Sequence, residues 1–264
     1  MFRVSCIQLR SNNNIEENLK KTSKLISIAV KQKTDLILTP ESSSLFSLNK
    51  KQLYKKCLSM SEDVYLKKIK KLAKLYKKWI LIGSIIIKDK KKLFNRSILI
   101  NSNGKIEKIY NKIHMYDAKL SKKEYYLESK LFTPGKTLKI AKLPWGKIGM
   151  TICYDLRFPL MYRKLAQKGA IFISVPSAFT ETTGKKHWHS LLKARAIENF
   201  SYIFAPAQGG RHYNDRLTYG HSLIVSPDGK IMKELKKKEG VITANIDPEL
   251  PNILRKKIPS LKFK

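Results

Sequence analysis

The chain has 264 residues, of which 42% are hydrophobic and 28% charged, a composition typical of a folded protein rather than a disordered one. Its longest apolar stretch, residues 79–87, is far shorter than the roughly 20 residues that cross a bilayer, and its first residues do not predict a secretory signal. We therefore expect neither a membrane protein nor a secreted one, and the 54 basic against 20 acidic residues leave a formal net charge of +34 to be explained.

The first half of the sequence predicts strands that alternate with helices, from the period of its apolar residues. The strands are predicted over residues 2–9, 35–39, 79–88, 93–101 and 105–110, and the helices over residues 15–30 and 66–76. The order strand, helix, strand is typical of a parallel crossover unit. Asn103-Gly104 predicts the turn of a hairpin before the last of these strands.

The second half repeats this order. Strands are predicted over residues 137–142, 147–152, 170–175, 202–207, 221–226, 230–235 and 241–246, and helices over residues 159–167 and 188–199. Two similar passes of strands and helices favour an α/β fold in which stacked sheets are covered by helices. Because no linker rich in proline, glycine or serine separates the two passes, we predict a single domain over residues 1–264.

Two polar positions of the first half follow predicted strands. Glu41 comes directly after a buried strand, and catalytic groups favour such strand ends because a rigid sheet positions them. Lys112 lies in a polar break after the hairpin. A single acid after a strand is more often a helix cap or a solvated turn, and one lysine among 45 carries little information. Neither position decides a function alone.

Cys153 has a more informative context. An apolar strand ends at this cysteine, and Pro159 opens the helix that follows a short turn. The N–H groups of such an elbow, that of Tyr154 included, and the helix dipole can lower the pKa of a thiol and bind an oxyanion. Cys6 and Cys57 lack this context. Three widely spaced cysteines predict neither a disulfide framework nor a zinc site, and we expect a protein of the reducing cytosol.

The five histidines do not predict a metal site. His187 and His189 are two residues apart, so on a helix their side chains point in different directions, and no third acid or cysteine completes a ligand spacing. We expect the histidines to be structural or to contact a substrate, and we predict no metal.

From residue 4 to about residue 247 the chain resembles the nitrilase superfamily of carbon–nitrogen hydrolases. The resemblance rests on three segments in order, Pro40-Glu41, Asn111-Lys112-Ile113-His114 and Cys153-Tyr154-Asp155-Leu156-Arg157-Phe158-Pro159. It implies a four-layer α-β-β-α sandwich, hydrolysis of a non-peptide amide without a cofactor, and a homodimer or larger assembly.

The resemblance also implies roles for individual residues. Cys153 corresponds to the nucleophile, Glu41 to the general base and Lys112 to the group that stabilises the tetrahedral intermediate. Glu128 falls where many members carry a second glutamate beside the lysine. The chemistry of these residue types agrees: a thiolate attacks an amide carbonyl, and Lys112 with the Tyr154 N–H stabilises the oxyanion. We expect burial to raise the pKa of Glu41 and the nearby cation to lower that of Cys153.

The segments Gln208-Gly209-Gly210-Arg211-His212 and Tyr219-Gly220-His221-Ser222 make the chain most similar, within the superfamily, to the branch that hydrolyses deaminated glutathione. The omega-amidase branch, which acts on 2-oxoglutaramate, or another amidase of the superfamily is the alternative. A substrate with carboxylates needs cations. We expect Arg211 and His212, in a glycine-rich loop, and Arg157, four residues after the cysteine, to bind them, although Arg157 could equally bridge to Asp155.

A nucleic-acid-binding protein is the alternative from a different class, because a charge of +34 attracts polyanions at low salt. However, 45 of the 54 basic residues are lysine, whereas arginine is the residue that reads bases and grips phosphates. The aromatic residues are not interleaved with basic ones as in base-stacking surfaces. We therefore expect solvated lysine-rich faces, a small-molecule amide as the substrate, and no specific nucleic acid or membrane partner.

Overall fold

The computed structural model describes residues 1–122, 124–213 and 215–262. Its helices are α1 (Ile15–Lys31), α2 (Lys50–Lys56), α3 (Val64–Tyr76), α4 (Pro159–Gln167), α5 (Glu181–Asn199) and α6 (Leu250–Lys257). Its strands are β1 (Phe2–Gln8), β2 (Leu36–Leu38), β3 (Trp79–Asp89), β4 (Lys92–Ile100), β5 (Ile106–Asn111), β6 (Asp117–Lys119), β7 (Tyr125–Leu127), β8 (Lys139–Leu143), β9 (Gly146–Met150), β10 (Ala170–Ser174), β11 (Tyr202–Ala205), β12 (Gly209–Arg211), β13 (Leu217–Tyr219), β14 (Leu223–Val225), β15 (Ile231–Glu234) and β16 (Gly240–Ile246).

Two six-stranded sheets form the centre of the molecule. The strand order is β16-β1-β2-β3-β4-β5 in the first sheet and β15-β14-β11-β10-β9-β8 in the second. Each has a parallel centre, β1-β2-β3 or β9-β10-β11, with antiparallel strands outside it. The outer strands pair antiparallel, through hairpins such as β4-β5 and β8-β9 or, for β16 and β1, between the two ends of the chain. The parallel centres require the crossover helices that the sequence predicted.

Alternation along the strands of the first sheet explains its two apolar faces. In β2, Leu36 and Leu38 pack into the core between the sheets, whereas Ile37 packs with the outer cluster formed by α1 and α3. Successive side chains of a strand point to opposite faces, so a strand covered on both sides is apolar throughout. This is why residues 36–38 are a continuous apolar run.

The second sheet closes the sandwich. Phe2 of β1 contacts Phe172 of β10 edge to face, with ring centroids 5.3 Å apart, across the interface between the sheets. Helices α4 and α5 cover the outer face through buried residues such as Leu165 and Trp188. The layers are therefore helix, sheet, sheet, helix, and the predicted four-layer α/β sandwich is confirmed.

The structure differs from the sequence prediction mainly in elements outside the sheets. Helix α5 begins at Glu181, seven residues before its predicted start, because Gly184 allows the helix to lie directly against Tyr219. Local propensity at two threonines and a glycine argues against a helix there, and tertiary packing overrides it. Four further elements were not predicted from the sequence: the short helices α2 and α6 and the two small hairpins β6-β7 and β12-β13.

Within the part of the chain that the structure describes, none of the helices has both the length and the apolar character needed to span a bilayer. All three cysteines are free thiols and buried.

Candidate active site

A cavity of about 430 Å³ lies where strand ends of the two sheets meet, and its volume is in the range typical of small-molecule sites. Glu41 follows β2 and Lys112 follows β5 in the first sheet, whereas Cys153 follows β9 in the second. Glu128 reaches the cavity from a short 3-10 turn after β7. The structure therefore brings together all four residues that the sequence predicted as catalytic.

The carboxylate of Glu41 is buried, and both of its oxygens accept hydrogen bonds. Oε1 accepts from Lys112 Nζ and from Asn95 Nδ2, and Oε2 accepts from the backbone N–H of Ala178, each at 2.9 Å. Burial raises the pKa of Glu41, but the charge and hydrogen bond of Lys112 outweigh it and hold the pKa below its ordinary value of 4.5. Glu41 is thus ionised at neutral pH.

A bulge in β3 fixes the loop that carries Glu41. The pairing of β3 with β4 shifts register at Gly83-Ser84. The Gly83 N–H donates to Thr39 Oγ1 at 3.1 Å, and the Ser42 N–H donates to Ser84 Oγ at 2.9 Å. Any Cβ at position 83 would lie 1.9 Å from the carbonyl oxygen of Thr39, so only glycine allows this close approach.

Gln208, from the second half of the chain, binds the same loop. Its Nε2 donates to the carbonyl oxygen of Glu41 and to Ser11 Oγ, each at 2.9 Å, and its Oε1 accepts from the Ser11 N–H at 2.9 Å. Since Gln208 is fully buried, these bonds are shielded from water. The backbone of Glu41 is therefore held by residues from both halves.

Lys112 lies between two carboxylates. Its Nζ donates to Glu41 Oε1 at 2.9 Å and to the two oxygens of Glu128 at 2.9 and 2.7 Å, and Glu128 Oε2 also accepts from the Tyr116 N–H at 2.7 Å. Burial lowers the pKa of Lys112, but the two carboxylates outweigh it and raise the pKa above its ordinary value of 10.5. Lys112 is therefore an ammonium ion inside the protein.

Cys153 occupies the predicted elbow in a left-handed backbone conformation, with φ of 48°. This conformation is uncommon for a residue other than glycine and is found preferentially where a side chain must be presented to a site. The Cys153 N–H donates to the carbonyl oxygen of Pro176 at 2.9 Å. The next N–H along the elbow, that of Tyr154, is therefore the candidate donor to an oxyanion.

Asp155 connects the elbow to the segment after β5. Its buried carboxylate accepts from the Tyr110 hydroxyl at 2.7 Å, from the Ile152 N–H at 2.8 Å and from the His114 N–H at 3.1 Å, and the His114 ring nitrogen Nδ1 lies 2.7 Å from it. The Asp155 carboxylate thus joins the segment of Cys153 to the segment of Lys112, and this link fixes the position of the thiol relative to the ammonium group.

The pKa values of the thiol and its base differ in direction from the expectation. Burial raises the pKa of the Cys153 thiol, the negative charge of Glu41 raises it further, and the cation of Lys112 only partly opposes them. Glu41 and Cys153 both line the cavity, so the negative charge of the carboxylate acts on the thiol. The expected lowering of the Cys153 pKa was wrong, because burial and the charge of Glu41 outweigh Lys112. The expected raising of the Glu41 pKa was wrong, because Lys112 outweighs burial. The resting pair is a thiol beside a carboxylate.

Comparison with known proteins agrees with this geometry. Residues 3–252 match the carbon-nitrogen hydrolase family. This chain is a carbon–nitrogen hydrolase. A protein of Synechocystis sp. strain PCC 6803 named deaminated glutathione amidase is 34% identical over 274 residues, covering 100% of this chain and 98% of the relative. A protein of the same name from Dictyostelium discoideum is 35% identical and covers 99% and 93%. This enzyme uses a cysteine to hydrolyse amide bonds.

Solved structures show the same fold for the hydrolase. The NitFhit protein of C. elegans superposes with a TM-score of 0.93 at 32% identity; the match covers 100% of this chain and 65% of that longer protein. Nit3 of Saccharomyces cerevisiae, described as a member of branch 10 of the nitrilase superfamily, gives a TM-score of 0.86 at 31% identity, covering 98% and 94%.

The structure places only one of the three predicted substrate-binding residues of the hydrolase at the cavity. Arg157 lines it, lies over the ring of Phe179 and contacts His187 Nδ1 at 3.2 Å rather than bridging to Asp155. Tyr154 also lines the cavity.

Arg211 and His212 lie outside the cavity. Arg211 is exposed and pairs with Asp215 at 3.1 Å, because alternation along β12 turns its side chain to solvent. His212 is buried against the ring of Phe46 and hydrogen-bonded to the Ser11 carbonyl, and burial lowers its pKa to about 4. It is a neutral structural residue.

Two residues at the site were missed by sequence reasoning. Arg216 lines the cavity; its guanidinium lies over the rings of Phe46 and Tyr126, and its Nη2 donates to the Ala178 carbonyl at 3.0 Å. The glycine-rich loop correctly indicated an arginine near the cavity. That arginine is Arg216, which follows the loop, and not Arg211. Asn95 gave no signal, since a lone asparagine inside a strand looks like any half-buried polar residue.

Proposed function

We propose that this carbon–nitrogen hydrolase is a deaminated glutathione amidase. The observation that carries the proposal is a cavity that holds a complete thiol, carboxylate and ammonium set together with further cations. Lys112 is paired with Glu41 and Glu128, and Lys130, Arg157 and Arg216 also line the cavity and add positive charge to its wall. The names of the relatives described above support the same substrate.

Cys153 acts as the nucleophile in this proposal. As its sulfur attacks the amide carbonyl carbon, the thiol proton passes to Glu41, which avoids a free thiolate beside a carboxylate. The carbonyl oxygen becomes an oxyanion, stabilised by the Tyr154 N–H and by Lys112. One N–H of the ammonium turns to the oxyanion from Glu128, which it contacts through both oxygens at rest. Protonated Glu41 then gives its proton to the departing amine, leaving a thioester.

Water completes the reaction. Glu41, again a carboxylate, takes a proton from water as the water oxygen attacks the thioester carbonyl, and the same donors bind the second oxyanion. The carbon–sulfur bond breaks, the sulfur recovers the proton from Glu41, and the carboxylic acid leaves. Glu128 holds Lys112 at the oxyanion position throughout, which makes Glu128 a positioning residue.

The substrate fits the charge of the cavity. Deaminated glutathione carries a 2-oxo acid on one side of the scissile amide and cysteinylglycine on the other, so it ends in a carboxylate at both sides. Arg157 and Arg216 are attached to different parts of the chain and both line the cavity. A guanidinium binds a carboxylate with two parallel hydrogen bonds. We assign one arginine to each end of the substrate.

A panel of substrates tests the proposal. The kcat/KM of deaminated glutathione, 2-oxoglutaramate, N-carbamoyl amino acids and simple nitriles is measured with the wild-type enzyme, with Cys153→Ala as the control. We expect deaminated glutathione to be preferred and all activity to be lost in the variant. Preference for 2-oxoglutaramate would assign the chain to the omega-amidases, and activity that survives in Cys153→Ala would refute the mechanism.

Two arginine variants test the assignment of the charged ends. Arg216→Met should raise the KM for deaminated glutathione by about 10- to 150-fold, since a hydrogen-bonded charged contact contributes about 1.5–3 kcal/mol. Arg211→Met is the matched control and should leave KM unchanged because its side chain is in solvent. Equal effects of the two substitutions would contradict a role for Arg216.

We further propose that the enzyme is a homodimer or larger assembly in the cytoplasm, without a specific nucleic-acid partner. Leu160 on the first turn of α4 is 72% exposed and offers apolar surface to a partner copy, whereas Met161 is buried. Sedimentation at moderate salt should show a species larger than 30.5 kDa. A monomer under these conditions would contradict the assembly, and Leu160→Glu should shift the equilibrium toward it.

A further inference from the structure

His189, His221 and Glu234 come together on the surface away from the catalytic cavity. Both His189 Nε2 and His221 Nδ1 lie against the same carboxylate oxygen, Glu234 Oε1, at 3.0 and 2.6 Å. One potential ligand atom from each of the three side chains lies within 4.8 Å of the others. The residues come from α5, from the loop after β13 and from β15, so their spacing along the chain gave no sign of the group.

The three side chains are held in place by the fold. His189 lies in the middle of the 19-residue helix α5, and Glu234 is paired through β15 with β14. The backbone N–H of His221 donates to the Lys236 carbonyl at 2.8 Å, its carbonyl accepts from Trp188 Nε1 at 2.8 Å, and its ring stacks on Tyr219 at 4.1 Å. A site with so little freedom would lose little conformational entropy on binding a ligand.

We propose that His189, His221 and Glu234 bind one divalent transition-metal ion, zinc foremost. Two imidazoles and one carboxylate are ligands of zinc, and bonds of about 2.0–2.1 Å put tetrahedral ligand atoms about 3.3 Å apart. The observed separations of 2.6 and 3.0 Å from Oε1 need to open only slightly. The ring nitrogen of each histidine that faces Glu234 binds the metal, and the imidazole proton is carried on the other ring nitrogen.

Access and charge also fit a metal ion. The side chains of His189, His221 and Glu234 are 30%, 18% and 31% exposed, which leaves room for water to complete the coordination. The Glu234 carboxylate supplies the negative charge that the two imidazoles lack. Magnesium and calcium, which prefer oxygen ligands, suit this set poorly.

Calorimetric titration with zinc chloride tests the site. The parent is full-length Cys153→Ala, freed of metal by a chelator, because the catalytic thiol could itself bind zinc. We compare it with His189→Gln, Glu234→Gln and, as the matched control, His187→Gln, which changes a histidine of the same helix outside the group. We expect one zinc ion per chain in the parent and the control, at least tenfold weaker binding in the other two variants, and no binding of magnesium.

X-ray absorption of the zinc-loaded parent gives a second measurement that needs no variant at the site. Two imidazole ligands with the remaining ligands oxygen, and no sulfur, are expected. Absence of zinc binding in the parent, sulfur in the coordination shell, or equal affinity in all variants would overturn the proposal and leave the group as a hydrogen-bonded link between α5 and β15. The outcome is independent of the amidase activity.

Discussion

At the scale of single residues, the burial of Cys153 and the negative charge of Glu41 beside it determine the resting state of the enzyme. Two carboxylates and one ammonium ion occupy the site, so a thiolate would add a further negative charge to a buried cluster. The thiol of Cys153 therefore keeps its proton until the carbonyl carbon of the substrate can accept an electron pair from sulfur. The base is therefore ready before the nucleophile is formed, and the proton moves during the attack.

The first prediction concerns this resting state. Because the pKa of Cys153 lies above its ordinary value of 9.0, less than about 1% of the thiol should be ionised at pH 7. The ultraviolet absorbance of a thiolate, measured as the difference between wild type and Cys153→Ala, should be absent at pH 7 and appear only at strongly alkaline pH. A thiolate signal at neutral pH would mean that Lys112 dominates the thiol instead.

The second prediction concerns stability and pH. Glu41 has a folded pKa below 4.5, so it stabilises the fold above that pH and loses this contribution as the pH falls through its folded pKa. Lys112 has a folded pKa above 10.5, so it stabilises the fold below that pH and loses this contribution as the pH rises through its folded pKa. Between these limits, Glu41→Gln should lower the stability by about 1–3 kcal/mol, the contribution of a hydrogen bond to a charged group, because Glu128 still pairs with Lys112.

Thermal unfolding across the pH range measures this contribution. The difference in Tm between wild type and Glu41→Gln should be largest between about pH 5 and pH 10 and should shrink below pH 4.5. Glu16→Gln, a change at an exposed glutamate of α1, is the matched control and should leave Tm nearly constant. A difference that does not depend on pH would show that packing rather than charge holds Glu41.

At the scale of elements, the bulge in β3 links the sheet to the catalytic loop. The third prediction is that Gly83→Ala destabilises the protein by about 1–3 kcal/mol and abolishes most activity, because a Cβ there would push the Thr39 carbonyl and the loop of Glu41 away. Gly240→Ala, in β16, is the control, since its Cβ would make only ordinary contacts with Leu235. Chemical denaturation and kcat report the two effects, and full activity in Gly83→Ala would refute this role of the bulge.

The sequence predicted those helices and strands whose apolar residues recur with a clear period. The crossover helices and the central strands followed from apolar spacing, and the elbow at Cys153 followed from a strand that ends before a helix opened by proline. Helix α4 has the predicted bounds, because Pro159 marks its start unambiguously. These elements are encoded locally, so local patterns reveal them.

Features that depend on contacts between distant segments could not be predicted. Asn95 and Ala178 bind Glu41 only because the two sheets bring them there, and nothing near them in the sequence marks that role. The choice of Arg211 instead of Arg216 depended on which side of a loop faces the cavity. The direction of the Cys153 pKa depended on burial and the charge of Glu41 outweighing the cation of Lys112, a balance that exists only in the folded chain.

At the scale of the whole molecule, the charge has an uneven distribution. Residues 143–229 hold six of the 45 lysines, and the rest of the chain holds 39. Among the lysines that the structure describes, Lys112 alone is buried, so the others form solvated faces. A chain of net charge +34 surrounds itself with a positive potential, which attracts small anions as well as polyanions.

The fourth prediction follows from this potential. The kcat/KM for a substrate with two carboxylates should fall several-fold between low salt and about 0.5 M sodium chloride, because salt screens the attraction that speeds encounter. The kcat/KM for a neutral aliphatic amide should stay unchanged and serves as the control. Parallel changes for both substrates would point to a salt effect on the protein rather than on the encounter.

The hydrogen bonds of Gln208 to the loop of Glu41 carry a consequence for how the enzyme matures. Glu41 and Lys112 belong to the first sheet and Cys153 to the second, so a chain in which each sheet has formed but the two have not docked holds every catalytic side chain and still lacks a catalyst. Catalytic activity therefore reports the final step of folding, in which the two sheets dock. During refolding, secondary structure can return before activity does, and only molecules whose two sheets have docked are active.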